Sequence, residues 1–268
     1  MALPLNIIAV RHGESEGNLI NSRARVGDQT VFEIPGFPER HVSQWRLTDV
    51  GREQARAAGE WLRHKAIAVD RGYVSFYTRA METAMFLPEV PWIESPYLRE
   101  QMWGDLTSLA DKDRVGEYQR SLKARETQPF LWTPPGAGAE SMDEYFTKTV
   151  DRALDTLSRS CGSMSVVLVT HGGWLWGLRH RMERLPQEEL MRLRASDDPH
   201  EHIHKCQIIH YTRCDPWSGQ DTAKIQWVRS ICPWDPSLSS HEWREIRRHM
   251  YSRADLSRLV NAVPQLVK

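Results

Sequence analysis

The run "MSVVLVT", residues 164–170, does most to limit what this chain can fold into. It is too short for a stable isolated helix. It is rich in β-branched residues, which suit extended backbone. It also lacks the alternation that would leave one face in water. Such a run is a strand buried on both faces, as in a parallel sheet covered by helices. Residues 5–10 give a second, shorter run of the same kind.

Around these two runs, strand and helix signals alternate. "SEGNLINSR" opens a helix with Ser15 as its cap. Thr48 starts a second helix, in which Leu47, Val50, Ala55, Ala58 and Leu62 fall near helical spacing. Residues 73–76 ("YVSF") read as a strand and 79–86 as a helix that Pro88 ends. "VPWIE" reads as a further strand, and residues 111–126 as a polar helix. "TPPGAGAES" is a turn-rich link before an amphipathic helix over 141–160. "HGGWLWG" starts a helix directly after the 164–170 strand. Residues 207–213 and 223–230 form a hairpin around "DPWSGQD".

This alternation predicts an α/β fold: a three-layer α/β/α sandwich with a mainly parallel central sheet. The 268 residues read as one domain. It carries an irregular insertion at about 23–46 and a basic C-terminal helical tail at about 239–268. The insertion has Gly and Pro but no period, and a loop of that length is usually functional. Phe32, Phe37 and Trp45 make it a candidate wall or lid for a pocket near the first strand.

Hydrophobic residues make up 40% of the chain, enough for a core. Lys plus Arg number 35 and Asp plus Glu number 35, so no general attraction to nucleic acid or membrane is expected. No apolar run reaches the ~18 residues of a transmembrane helix. "MALPLNIIAV" lacks the basic start and cleavage site of a signal peptide and reads as the first strand. Cys161, Cys206, Cys214 and Cys232 are widely spaced and read as reduced thiols of a cytoplasmic protein.

Open α/β sheets bind ligands at the carboxyl ends of their strands. Arg11 and His12 end the first strand, Arg79 follows the 73–76 strand, and His171 follows the 164–170 strand. Arginine binds phosphate bidentately. Helix N-termini add backbone donors, and Gly13, Gly172 and Gly173 leave room for an oxyanion to approach. A neutral imidazole can attack phosphorus, and a second can donate to the phosphoryl oxygens. The expected partner is a small phosphorylated substrate, with arginines supplying the charge and no metal or other cofactor. The sequence leaves the oligomeric state open, a homodimer among the options.

The same segments resemble the histidine phosphatase superfamily, the phosphoglycerate-mutase-like proteins. "RHGESEGN" matches its Arg-His-Gly signature, and "SFYTRAMETA" its Ser-x-x-x-Arg-x-x-x-Thr element. "YLREQMWG" matches the stretch carrying the acid, "PGAGAESMDEYFTKTVDR" a Gly-Glu-Ser helix start, and "VTHGGWL" the second His-Gly. The resemblance implies that His12 is a nucleophile forming a phosphohistidine. It implies that Arg11, Arg79 and His171 line the phosphate pocket, with Asn18 and Gly172 as further contacts. It makes Glu100 the acid that protonates the leaving oxygen and then activates water, helped by a pKa raised through partial burial beside Met102 and Trp103. Glu14, Glu94 and Glu140 are nearby competitors for that role, Glu140 also as a pocket-rim or helix-start carboxylate.

The family holds both phosphatases and cofactor-dependent mutases. Glycolytic mutases resemble one another in a Glu-Trp-Asn where this chain has Glu16-Gly17-Asn18. After the acid, "EQMWGDLTSLADKDR" lacks their Tyr-Gly and Arg-Arg features. These departures point to a metal-independent phosphomonoester hydrolase. A cofactor-dependent phosphoglycerate-mutase-type transferase is the alternative, and a non-catalytic binder of a phosphorylated ligand the third reading. In "DDPHEHIHKC", His200, His202, His204 and Cys206 would share one face of a strand, but the spacing is not that of a strong metal site. The Trp-rich segments read as packing, and the basic tail as a solvated helix face.

Overall fold

A computed structural model describes residues 2–267 apart from 29, 38, 66 and 105–120, and the side chains of Val31 and Phe32. Two strands set the frame. β1 (Asn6–Arg11) lies parallel to the strand Ser165–Thr170, from Asn6 opposite Ser165 to Arg11 opposite Thr170. With β2 (Arg71–Val74) and β3 (Trp92–Glu94), the strand Ser165–Thr170 is β4. β5 (Ile208–Thr212), β6 (Trp227–Ile231) and β7 (Ser240–Glu245) complete a seven-stranded sheet in the order β3-β2-β4-β1-β5-β6-β7. Its core, β3-β2-β4-β1, is parallel, and β5, β6 and β7 continue it antiparallel.

All six residues of β4 are buried. Their period of two divides them between two cores. Val166 and Leu168 join Ile7 and Ala9 on one face; Val167 and Val169 join Ile8 and Val10 on the other. Each fully buried aliphatic side chain is worth about 1.5–3 kcal/mol, so the register is fixed from both faces.

The helices that cover the sheet start where the sequence supplies caps. α1 (Glu16–Arg25) has a capping box between Ser15 and Asn18. Thr48 caps α2 (Asp49–His64) and brings Ala55, Ala58 and Leu62 onto the sheet. α3 (Thr78–Ala84) follows β2. The helix expected over 141–160 forms as α4 (Met142–Phe146) and α5 (Arg152–Ser160), joined by the π-helical turn Thr147–Asp151. α6 (Gly172–Glu183) follows β4, and α7 (Gln187–Arg194) follows it. Of the helix expected over 111–126, residues 111–120 lie outside the described residues, and 121–126 are helical.

Two expectations need correction. The tail is not helical from 239: Ser240–Glu245 is an edge strand on β6, and the tail's helix is only α8 (Arg253–Asn261). Charged residues suit a solvated edge. Only Trp243 of β7 is partly buried, packing on the His210 ring at 4.7 Å. The strand read at 73–76 is in fact Arg71–Val74; Ser75 lies just past its end, its N–H still donating to Val169 O (3.0 Å). No helix among the described residues is long and apolar enough to cross a membrane.

Candidate active site

β1, β2 and β4 end side by side, and their carboxyl ends carry the site. His12 N–H still donates to Thr170 O (2.9 Å), which holds it against the end of β4. The His12 ring is buried, and its Nδ1 lies 2.7 Å from Gly13 O. A carbonyl can only accept, so Nδ1 carries the proton. Nε2 is then a bare lone pair, and Arg79 Nε donates to it (3.1 Å). Burial first, then the charges of Arg79, His171, Arg11 and Lys205, holds the His12 pKa well below the usual histidine value.

His171 caps α6 by position, without a side-chain cap bond. Its ring is wholly buried, 5.1 Å from that of His12 centroid to centroid. Arg79 Nη2 lies 3.3 Å from its Nδ1 and Ser75 Oγ 2.9 Å from its Nε2. Arginine can only donate, so Nδ1 accepts and Nε2–H donates to Ser75. Burial, then Arg79 and Arg11, lowers its pKa well below the usual value too. Arg79 thus touches both imidazoles through two edges of one guanidinium, over the Tyr77 ring at 4.6 Å. Its third edge donates to Val42 O (2.8 Å), from the insertion.

Arg11 donates through Nη1 to Ile203 O, while its buried Nε has no partner among the described residues. A Cβ at Gly172 would lie 3.1 Å from that Nε, so glycine leaves the guanidinium its place. A Cβ at Gly173 would lie 2.8 Å from Glu100 Oε1. Glu100 accepts there from Gln101 N–H (3.0 Å) and Tyr145 Oη (3.4 Å). Its Oε2 stands 3.9 Å from His171 Nδ1. The groups around this carboxyl are therefore polar. Met102 and Trp103, expected to shield it, are 40% and 38% exposed.

His12, His171, Arg11, Arg79, Glu100 and Gly172 come together. Asn18 Oδ1 accepts from Ser15 N–H (3.3 Å) within the cap of α1. Among the competing acids, Glu140 is buried and gripped by Arg99 at 2.6 and 2.7 Å, and Glu14 accepts from Thr48 Oγ1 (2.7 Å). Glu94 is exposed. The segment from His200 to Cys206 is not a strand. His202 and His204 turn to the carbonyls of Ser196 and Pro199 at 2.6 and 2.7 Å, and the chain enters β5 only at Ile208. Among the described residues no group of three His, Cys, Asp or Glu could hold a metal.

Three contributors escape a reading of the sequence. Ser75 is one, although it heads the Ser-x-x-x-Arg element. Thr83 is another: its Oγ1 accepts from Gly13 N–H (3.1 Å) and fixes the turn after His12. Lys205 is the third. Its segment passes under the end of β1, with Cys206 N–H donating to His12 O (3.4 Å). Its side chain makes no hydrogen bond or ion pair among the described residues. Burial, then the nearby Arg11, pushes its pKa down to about 6, against pulls from Glu14 and Glu100.

In the insertion, the Trp45 ring covers Gly17 and stacks on Phe37 at 5.4 Å. The side chain of Phe32 lies outside the described residues. Glu82 anchors the exit of this loop by accepting from Arg46 (2.9 and 2.9 Å), Arg52 (3.1 Å) and Leu47 N–H (2.8 Å).

A buried imidazole lone pair, two arginines, a second imidazole and a carboxyl thus meet just beyond the carboxyl ends of the parallel strands. Residues 7–213 match the histidine phosphatase superfamily (branch 1), and the chain belongs to that family. It is 30% identical over 208 residues to a 2,3-bisphosphoglycerate-dependent phosphoglycerate mutase of Parvibaculum lavamentivorans, covering 71% of this chain and 86% of that one. The fold is also that of the alpha-ribazole phosphatase of Shigella flexneri (TM-score 0.55, 20% identity, 82% of this chain and 95% of that one). A mycobacterial glucosyl-3-phosphoglycerate phosphatase shares it too (TM-score 0.51, 20% identity, 77% and 88%).

Proposed function

We propose that this protein is a phosphomonoester hydrolase that works through a phosphohistidine on His12, without a metal. The observation that carries this is the His12 tautomer: Nδ1–H is tied to Gly13 O, so the Nε2 lone pair faces Arg79 and the site. An incoming phosphoryl group takes over the Arg79 and Arg11 donors, which releases Nε2 for attack. The P–N bond forms as the P–O bond breaks in line with it. Glu100 gives its proton to the leaving oxygen. It then takes a proton from water, whose oxygen attacks phosphorus and frees His12. The net change is ester plus water to alcohol plus phosphate. Arg11, Arg79 and His171 neutralise the equatorial oxygens throughout.

The test is hydrolysis of phenyl phosphate at pH 5.5 and 7.5 with a chelator present. Wild type turns over and His12→Ala loses at least ~1000-fold, as removal of a nucleophile demands. Activity untouched in His12→Ala would refute the mechanism. The names of the curated relatives favour a second reading, phosphoglycerate mutase activity. That reading predicts isomerisation of phosphoglycerate that depends on added 2,3-bisphosphoglycerate.

A further inference from the structure

Gln101, the residue after Glu100, lines a cavity of about 160 Å³ that the chemistry above leaves unused. Gln101, Trp103, Trp132, Met142, Arg125 and Arg194 are among its lining residues. Gln101 ties it to the acid, since the N–H of this residue donates to Glu100 Oε1 (3.0 Å). Trp103, Trp132, Met142 and Met191 give it apolar walls, and the volume is about that of a cavity that accepts one benzene ring.

Two cations face this small space. Arg125 lies over the Trp132 ring at 5.2 Å. Arg194, at the end of α7, is partly buried and makes no hydrogen bond or ion pair among the described residues. Burial lowers its pKa, and the Glu100 carboxylate pulls the other way. A partly buried guanidinium without a partner is costly unless something anionic pairs with it.

We infer that this cavity receives the leaving group, and that Arg194 reads a second negative charge on it. The inference rests on the proposed hydrolysis. In-line displacement puts the leaving oxygen on the side of phosphorus away from His12, where Glu100 must reach it. Whatever hangs from that oxygen continues past Glu100 towards Gln101 and the cavity. The substrate class is then a phosphomonoester of a compact, ring-sized alcohol carrying a carboxylate or a second phosphate. A planar fork recognises either group bidentately.

Benzylphosphonates that cannot be hydrolysed test this by calorimetry on the full chain. They carry a para carboxymethyl, carboxamidomethyl or phosphonomethyl group. Wild type should bind the carboxylate or the phosphonate at least ~10-fold more tightly than the neutral amide, a charge-assisted pair being the difference. Whichever anion wins names the source of the charge. Arg194→Gln should bring the ratio within about twofold of one, and Arg194→Lys should keep part of it. A wild-type ratio near one overturns the inference even if no variant folds. So does a ratio that survives Arg194→Gln, or one that vanishes only in Lys205→Met. The corresponding phenyl phosphates separate the two readings. No hydrolysis of any of them defeats the hydrolase reading, whereas hydrolysis at equal kcat/KM defeats only this one.

Discussion

Replacing Lys205 by Met should stabilise the free protein, and more so in acid. Burial beside Arg11 moves the lysine from 10.5 to about 6, which at ~1.4 kcal/mol per pH unit caps the penalty at about 6 kcal/mol. Lys205 is partly exposed, so solvent screening keeps the cost below that cap. The sign follows from where the proton sits. Below about pH 6 both folded and unfolded chains hold it, and the folded chain carries the full cost of a buried charge. Between about 6 and 10.5 the folded lysine is neutral while the unfolded one is charged, so the cost shrinks as pH rises, and above 10.5 it is gone.

Urea unfolding in phosphate-free buffer at pH 5.5, 7.5 and 9.5 reads this directly. Lys205→Met should gain most at pH 5.5, by no more than about 6 kcal/mol, and progressively less towards pH 9.5. Saturating phosphate should stabilise wild type more than the variant, because a bound dianion supplies the counter-charge the lysine lacks. A gain that is flat with pH, or a loss at pH 5.5, would show that Lys205 does not sit charged against Arg11, and the electrostatic reasoning would fail.

Three other outcomes follow from the same geometry. The imidazoles of His12 and His171, followed by NMR in the free protein, should stay neutral below pH 6; Arg79→Met should let His12 titrate closer to its ordinary value, because one of the charges that depress it is gone. Glu82→Gln should cost about 2 kcal/mol in denaturant unfolding, since it breaks a buried carboxylate's bonds to Arg46, Arg52 and Leu47. Burial alone would raise the Glu82 pKa, but those bonds lower it below 4.5; the stabilisation is therefore present above about pH 4.5 and lost as pH falls through the folded value. Gly17→Ala puts a Cβ 2.0 Å from the Trp45 ring, so overpacking of about 1–3 kcal/mol is expected, with a shift in tryptophan fluorescence; an unchanged spectrum and stability would mean that Trp45 does not rest on Gly17.

What could be read from the sequence was whatever is set by local pattern. Ile7 to Val10 and Val166 to Val169 are apolar without interruption because helices cover both faces of the sheet. That burial also fixes where Arg11, His12 and His171 emerge. Residues whose part is set by packing between distant segments stayed hidden. Lys205 looks like an ordinary surface lysine until the 203–207 turn passes under β1. Glu140 resembles a pocket acid until Arg99, far along the chain, takes both of its oxygens. β7 is hard to see in the sequence for a related reason. An edge strand that buries little beyond Trp243 has no two-residue apolar period to detect.

Gly17 gains a different meaning from the structure. Read as sequence, it marks the loss of the tryptophan that glycolytic mutases share in their Glu-Trp-Asn. In space, the Trp45 indole of the insertion lies over position 17, and only a glycine there leaves room for it. This contact ties the insertion to the start of α1. Three residues before Trp45, the carbonyl of Val42 accepts from Arg79 Nη1 (2.8 Å). A phosphoryl group that engages the same guanidinium edge must displace that carbonyl. Such a charge-assisted bond is worth about 1.5–3 kcal/mol, or roughly ten- to a hundredfold in affinity. The insertion and the ligand therefore compete for one arginine. This coupling gives the departure from the mutase pattern a physical consequence: under the proposed function, a phosphate ester must enter against a loop that already holds part of the site.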